Sequence, residues 1–558
     1  MKKAAAYLVT LVSFLICYLL FAQEYMGDTM RYVGDILRHR AGARSDFWDF
    51  NHLFWRPWGD LGLSLFGNLY ANWFGDTAEE AAARFLIQTS FVCSIVALFA
   101  MLFVLRRVGA QPLPALLAVL AMSGTISFLN YSHSGAPYVP ALALSALTLA
   151  LVTVALEKGR WYAVAAGCTF ALACMLWFPY SLTGLAPLAM LAFWPVDQEP
   201  GRQARTRLIL YFLLTLSVVT VLAFGIVAAG RGVRSVSGFV HWVMESDNGN
   251  AQTRTITRAV TGVPRSVWDL GKNMISLKRW LFHDPYNTVR LPSVLLTLGG
   301  KLGAFYLALL ALIWVLFRQN RPALYVLLAG GVPLLGFSMF VFEPSAPERF
   351  MPVFPFVFLG FATALAYVRE QRIPVLAATV FLICFPLLNL AENLVKTSGD
   401  PMGATRDRVA SLNNTAQPGA IIYVTTLNDD MYRLPRANPL RDEIALPRFT
   451  VIDTVEIASQ GITRWKQSFA SHAIEQWDQG REVWFSQRLL ADAPRSEWEW
   501  VEGDDANITW KELPDFFRKL TTDRTISVRD DGFFRVEPSA ANRALLLQWM
   551  NTPPARKA

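Results

Sequence analysis

The chain has 558 residues, 53% of them hydrophobic and 17% charged, against about 25% charge in an ordinary soluble domain. With a mean hydropathy of +0.32, much of it must lie in a solvent other than water. The formal charge is +8, but Lys and Arg form no patch of the kind a nucleic-acid partner needs. All five cysteines (Cys17, Cys93, Cys168, Cys174 and Cys384) fall in hydrophobic segments. None is left elsewhere for a disulfide or a metal site.

Met1 to Ala22 has a basic start and an apolar run with no convincing small-residue cleavage site before Gln23, and it reads as a retained anchor. Further apolar stretches follow at 85–105, 113–130, 136–156, 161–178, 181–194, 208–228, 296–317, 322–342, 350–368 and 373–391. Each approaches the ~20 residues needed to cross a bilayer. The expectation is an α-helical polytopic body of about eleven spans over residues 1–395, followed by a soluble domain over 396–558. The spans read as nearly free of Asp, Glu, Lys and Arg, whereas a transporter or lipid flippase, the alternative reading, usually carries ionisable groups at mid-membrane.

Basic residues gather in alternate short loops: Lys2 and Lys3, Arg106 and Arg107, Lys158 and Arg160, Arg202, Arg205 and Arg207, Arg318 and Arg321, Arg369 and Arg372. By the positive-inside rule those loops are cytoplasmic. An odd number of crossings then puts the C-terminal domain outside, in a protein of the cell (inner) membrane with a cytoplasmic N-terminus. Two long loops also fall outside, at 23–84 and 229–293, and loops of that length are usually functional.

The first long loop opens with Asp28, Arg31, Asp35 and Arg38 on one helical face, opposite Met30, Val33, Ile36 and Leu37. This predicts an amphipathic helix in the membrane interface, with Asp35 on its solvated side. Asp28 comes a few residues after the first span, at headgroup height. His52, with Asp46 and Asp49 nearby, matches no established metal spacing. His133 and Tyr138 lie in a short turn on the same side. Arg349 sits at the outer end of a span, against the inside bias of cations, where it suits a lipid phosphate. In the tail, Ala420–Thr426, Phe449–Asp453, Glu482–Ser486 and Phe533–Val536 read as strands and Trp465–Trp477 as a helix, an α/β domain with no phosphate loop, metal spacing or nucleophile elbow.

Two stretches carry a resemblance. Asp28-Thr29-Met30-Arg31-Tyr32 is similar to the Asp-Glu-x-Arg-Tyr pattern that opens the first outer loop of many GT-C glycosyltransferases, such as protein O-mannosyltransferases and lipid A aminoarabinose transferases. Asn51-His52-Leu53-Phe54-Trp55-Arg56-Pro57 looks like the Pro-centred stretch further along that loop. Arg349-Phe350-x-Pro352 resembles their late Arg-Tyr-x-x-Pro element. Thr29 stands where the family usually has Glu, which points to a different acceptor. The resemblance implies transfer of a sugar from a polyprenyl-phosphate donor to an unknown acceptor at the bilayer surface. Asp28 is then the catalytic base, and Arg349, Arg231 and Lys278 hold the donor phosphate. Arg31, Tyr32, Asp35, His52, Arg56, His133, Tyr138, His241, Glu343 and Glu348 are candidates for substrate contact. No cofactor is required, and a divalent cation is compatible with the chemistry without being demanded by it.

Overall fold

The computed structural model describes residues 3–20, 27–42, 47–196, 201–245, 256–270, 291–340, 347–397, 410–424, 449–453, 465–491, 512–528 and 531–551. The body is helical. Helix α1 (Lys3–Leu20) leads to α2 (Gly27–Arg40) and α3 (Trp55–Phe74), then α4 (Ala78–Arg107), α5 (Pro112–Ser123), α6 (Ile126–Ser132) and α7 (Tyr138–Lys158). There follow α8 (Arg160–Leu176), α9 (Leu185–Phe193), α10 (Arg202–Gly230), α11 (Val236–Glu245) and α12 (Ile256–Val267). The body ends with α13 (Leu291–Gln319), α14 (Arg321–Phe340), α15 (Phe354–Ala364) and α16 (Arg372–Thr397).

Among the described residues seven helical segments are long and apolar enough to cross a membrane. The pair α5–α6, bent by 64° at its break, passes the same test when its two helices are taken together, and three shorter apolar helices lie at Ala4–Leu20, Arg160–Leu176 and Phe178–Phe193. Each of the eleven expected spans falls on one of these, and the chain is a multi-pass membrane protein. Leu296, Leu307, Val221, Ile226 and Ile373 stay exposed, as residues that face lipid should.

Local chemistry sets the ends. Gly75 stops α3 in the left-handed conformation at φ 71°, with its N–H donating to the Ala71 carbonyl, a conformation that costs glycine little. Two residues on, α4 starts with a capping box: Thr77 accepts from Glu80 N–H, and the Glu80 carboxylate accepts from Thr77 N–H. The far end of α4 carries Arg107, which pairs with Glu157 at the far end of α7. One end of the bundle is therefore basic, and Asp28 and Tyr138 lie at the other.

The break in α5–α6 has a specific cause. Thr125 caps α6 by accepting from Phe128 N–H at 3.3 Å. A Cβ on Gly124 would come within 2.4 Å of Pro386 Cβ, so the bend lets α16 approach the chain. The buried amide of Asn389 then donates to the carbonyls of Gly124 and Val267, at 2.8 and 2.7 Å, and accepts from Asp269 N–H at 3.1 Å. Beside it Lys301 donates to both carboxylate oxygens of Glu392, at 2.7 and 2.8 Å, and to the Asp269 carbonyl at 2.7 Å. Lys301 is the one charged residue inside the expected spans that follow the first. The ammonium is tolerated because a carboxylate and a carbonyl replace its water.

The tail folds around its own apolar core, built on Tyr423, Phe469, Phe485, Phe517 and Trp549 among others. Strands β1 (Ile421–Val424), β2 (Thr450–Asp453), β3 (Val483–Ser486), β4 (Thr522–Val528) and β5 (Asp531–Val536) form one sheet in the order β2-β1-β3-β5-β4. The first three strands are parallel and the last two are added antiparallel. The helices are α17 (Trp465–Asp478), α18 (Glu512–Phe517) and α19 (Ala540–Asn551). The expected strands are present, and β4 is an additional one. Its sequence, Thr-Asp-Arg-Thr-Ile-Ser-Val, alternates too weakly to signal an edge strand.

Candidate active site

The α6–α7 turn, residues 133–137, is the anchor of the site. Thr29, buried near the start of α2, accepts from Gly135 N–H at 2.8 Å. Trp55 donates its indole N–H to the Gly135 carbonyl at 2.8 Å, and Ser90 donates to the Ala136 carbonyl at 3.2 Å. A Cβ on Gly135 would lie 2.6 Å from Thr29 Cγ2 and 3.0 Å from Leu86 Cβ. The glycine is thus the contact that lets α2 seat against the turn. Thr29, expected to signal a different acceptor, here spends its hydroxyl on this backbone contact.

Seating α2 brings Asp28 to Tyr138, whose hydroxyl donates to Asp28 Oδ2 at 2.6 Å. The Tyr138 ring packs edge-on to Tyr131, 4.7 Å between centroids. Tyr131 donates to Glu348 Oε2 at 2.7 Å, and Glu348 Oε1 lies 3.8 Å from Arg349 Nε. Arg349 stands 5.9 Å over the buried Trp177 ring, which packs at 4.6 Å against Tyr138. Tyr180 closes the floor by donating to the Tyr138 carbonyl at 3.2 Å. Two carboxylates and one guanidinium, from the first loop and from the 3-10 turn Pro347–Val353, therefore meet around one pair of tyrosines.

Not every candidate joins this cluster. Asp35 is buried rather than solvated: it accepts from Arg56 Nε at 2.6 Å and from Arg38 at 2.6 Å. Arg56 is fully buried, holds Asp49 at 3.3 Å, and lies 4.8 Å over the Tyr32 ring. An arginine removed from water needs such partners, so this pair ties α2 to α3. Asp35 lies at the margin of the apolar face, next to Ile36, and α3 docks on that margin. His133 faces away from Asp28. Its ring stacks on Tyr18 at 3.6 Å, with Nδ1 2.9 Å from the Leu129 carbonyl and Nε2 2.7 Å from the Tyr18 carbonyl.

Arg31, Arg231 and His241 are exposed; Arg231 donates to the Trp48 carbonyl at 3.3 Å and stands 5.7 Å from the Trp242 ring. Lys278 and Glu343 lie outside the described residues. Tyr32 is buried on the site side of α2, and burial, followed by the Asp28 carboxylate, holds its phenol well above the ordinary range. Among the described residues no three His, Cys, Asp or Glu side chains gather as metal ligands would. Sequence reasoning missed Trp177 and Tyr180. Their signal is the aromatic run Trp177-Phe178-Pro179-Tyr180, where Pro179 and the extended Trp177 end α8 and start a 3-10 turn.

No family model matches the sequence, and no curated protein sequence matches it. Solved structures do match. ArnT from Cupriavidus metallidurans in the apo state aligns with a TM-score of 0.52 at 12% identity, over 98% of this chain and 99% of that one. The same protein bound to undecaprenyl phosphate aligns at 0.50 and 13%, over 96% and 98%. The Archaeoglobus fulgidus oligosaccharyltransferase in the apo form aligns at 0.51 and 12%, over 97% of this chain and 75% of that one. At such identities the likeness is one of fold, and it spans membrane body and tail together. The chain has the GT-C fold of the membrane glycosyltransferases.

Proposed function

We propose that the protein is a glycosyltransferase that moves a sugar from a polyprenyl-phosphate donor to a lipid, glycan or protein acceptor at the outer face of the cytoplasmic membrane. The observation that carries this reading is the meeting of Asp28 with Glu348 and Arg349 through Tyr138 and Tyr131. The solved ArnT complex with undecaprenyl phosphate supports the donor class. The basic loops at the opposite end of the bundle support the orientation, with the tail domain outside.

The reaction is a displacement at the anomeric carbon. A hydroxyl of the acceptor forms the new bond to that carbon as the bond to the phosphate oxygen breaks, with inversion. Asp28 takes the hydroxyl proton, and its Oδ2 bond to Tyr138 fixes the carboxylate so that Oδ1 points in a defined direction. Arg349 stabilises the charge that builds on the departing phosphate. Glu348, held by Tyr131, orients Arg349. Lys278 would add to donor-phosphate binding and Glu343 to substrate binding, both from outside the described residues, and Arg231 and His241 would contribute from their exposed positions.

The test uses labelled undecaprenyl-phosphate hexose and pentose with cell-envelope membranes as acceptor. Asp28→Asn should abolish transfer while the variant inserts and purifies as the parent does. Full transfer by Asp28→Asn removes the base. Arg349→Ala should weaken undecaprenyl phosphate binding by about 10- to 100-fold, the worth of a hydrogen bond to a charged group.

A further inference from the structure

His52 is the last residue of a short 3-10 turn (Phe50–His52), capped by Asp49, which accepts from Asn51 N–H at 3.3 Å. The turn holds the imidazole beside the candidate site. Its ring packs edge-on against Tyr32 at 5.5 Å and Tyr138 at 6.0 Å, and Tyr138 is the residue that donates to Asp28. Nδ1 lies 3.0 Å from the Leu176 carbonyl. A carbonyl can only accept, so Nδ1 carries the hydrogen, and in the neutral ring Nε2 keeps a lone pair. Among the described residues Nε2 has no hydrogen-bond partner.

The charged groups facing the ring are Asp49 and Asp28, which favour protonation, and Arg56, which opposes it. Burial outweighs them all and pushes His52 down to about 4. At neutral pH the ring is therefore uncharged and its tautomer is fixed by one backbone contact.

We propose that His52 Nε2 is a fixed hydrogen-bond acceptor for a substrate hydroxyl at the Asp28 site, and so a specificity-determining residue. The hydroxyl belongs to the transferring sugar or to its acceptor. A site built to accept from a hydroxyl discriminates strongly against an analogue that lacks one, because the acceptor nitrogen of this buried residue is then left unpaired. This inference rests on the reading of Asp28 as part of a sugar-transfer site, and it adds a contact that selects which sugar or acceptor is used.

Diethyl pyrocarbonate, which acylates an unprotonated imidazole nitrogen, tests it on the full chain in lipid nanodiscs. Peptide mapping should find His52 acylated at nearly constant rate between pH 5 and 7, the reagent's own pH dependence allowed for. An ordinary histidine slows by about tenfold per pH unit once below its pKa. Protection by undecaprenyl-phosphate hexose, with undecaprenyl phosphate as control, assigns the hydroxyl to the sugar. Protection by a cell-envelope lipid and glycan extract assigns it to the acceptor. A His52 that does not react, that titrates as an ordinary histidine, or that neither addition protects overturns the proposal. The Asp28 reading fails separately: an active Asp28→Asn variant would remove the base and leave His52 reactivity unchanged.

Discussion

Tyr138 hydrogen-bonds Asp28 Oδ2 at 2.6 Å, joining the first residue of a long span to the start of the loop that follows α1. The bond fixes one carboxylate oxygen, and in the proposed reaction the other takes the acceptor's proton. Tyr138→Phe keeps the ring and its packing on Tyr131 and Trp177 but removes the donor. Loss of a hydrogen bond to a charged group amounts to about 1.5–3 kcal/mol. The turnover number should fall about 10- to 100-fold, with donor KM little changed, as steady-state transfer kinetics would show. An unchanged turnover number would mean that the phenol does not orient the carboxylate.

Gly135 sets how closely α2 approaches the α6–α7 turn. Gly135→Ala places a methyl 2.6 Å from Thr29 Cγ2, so α2 must shift and carry Asp28 with it. Overpacking of this kind costs about 1–3 kcal/mol, and a displacement near 1 Å at reacting groups costs about 100-fold in rate. Transfer assays paired with thermal unfolding should therefore show a rate loss much larger than the loss of stability. Equal losses would point to a general packing defect instead.

Asp35 is a test of structure against substrate contact. It shares the buried Arg56 with Asp49, so Asp35→Asn leaves a guanidinium out of water with one carboxylate fewer. Breaking a buried pair in this way costs about 3–5 kcal/mol, visible as a lower melting temperature in detergent. Where the variant stays folded, donor and acceptor KM should match the parent. A raised KM at parental stability would return Asp35 to the substrate.

His52 predicts how stability depends on pH. Its ordinary value is 6.5 and burial takes it to about 4, so the unfolded chain binds the proton more readily than the folded one. Stability from this group is full above pH 6.5 and is lost as pH falls toward about 4. His52→Gln, neutral throughout and able to donate to the Leu176 carbonyl, should flatten the difference between melts at pH 7 and pH 4.5. An identical pH dependence in parent and variant would contradict the buried neutral ring.

The membrane body was legible because the bilayer demands long apolar runs whose loops sort by charge, and each expected span falls on a helix. The break in α5–α6 was not legible. It depends on Gly124 meeting Pro386 and on Asn389, contacts between segments far apart in the chain. The sequence pattern around Asp28, Tyr138, Glu348 and Arg349 marked residues that do come together. It misplaced Asp35 and His133, because hydrophobic periodicity says which face is polar but not which arginine or ring will dock there. Trp177 was hidden because an aromatic residue at the end of an apolar span reads as interfacial belt, and only the fold shows it beneath Arg349.

In the proposed reaction a lipid-linked phosphate sits between the start of the first loop and the Pro347–Val353 turn. A density map of the chain in nanodiscs with undecaprenyl phosphate would locate that phosphate. Phosphate density is expected within hydrogen-bond reach of the Arg349 guanidinium, on the side where Asp28 and Tyr138 meet. Phosphate density at the basic end, near Arg107 and Arg205, or at the lipid-facing side of α10, would contradict it.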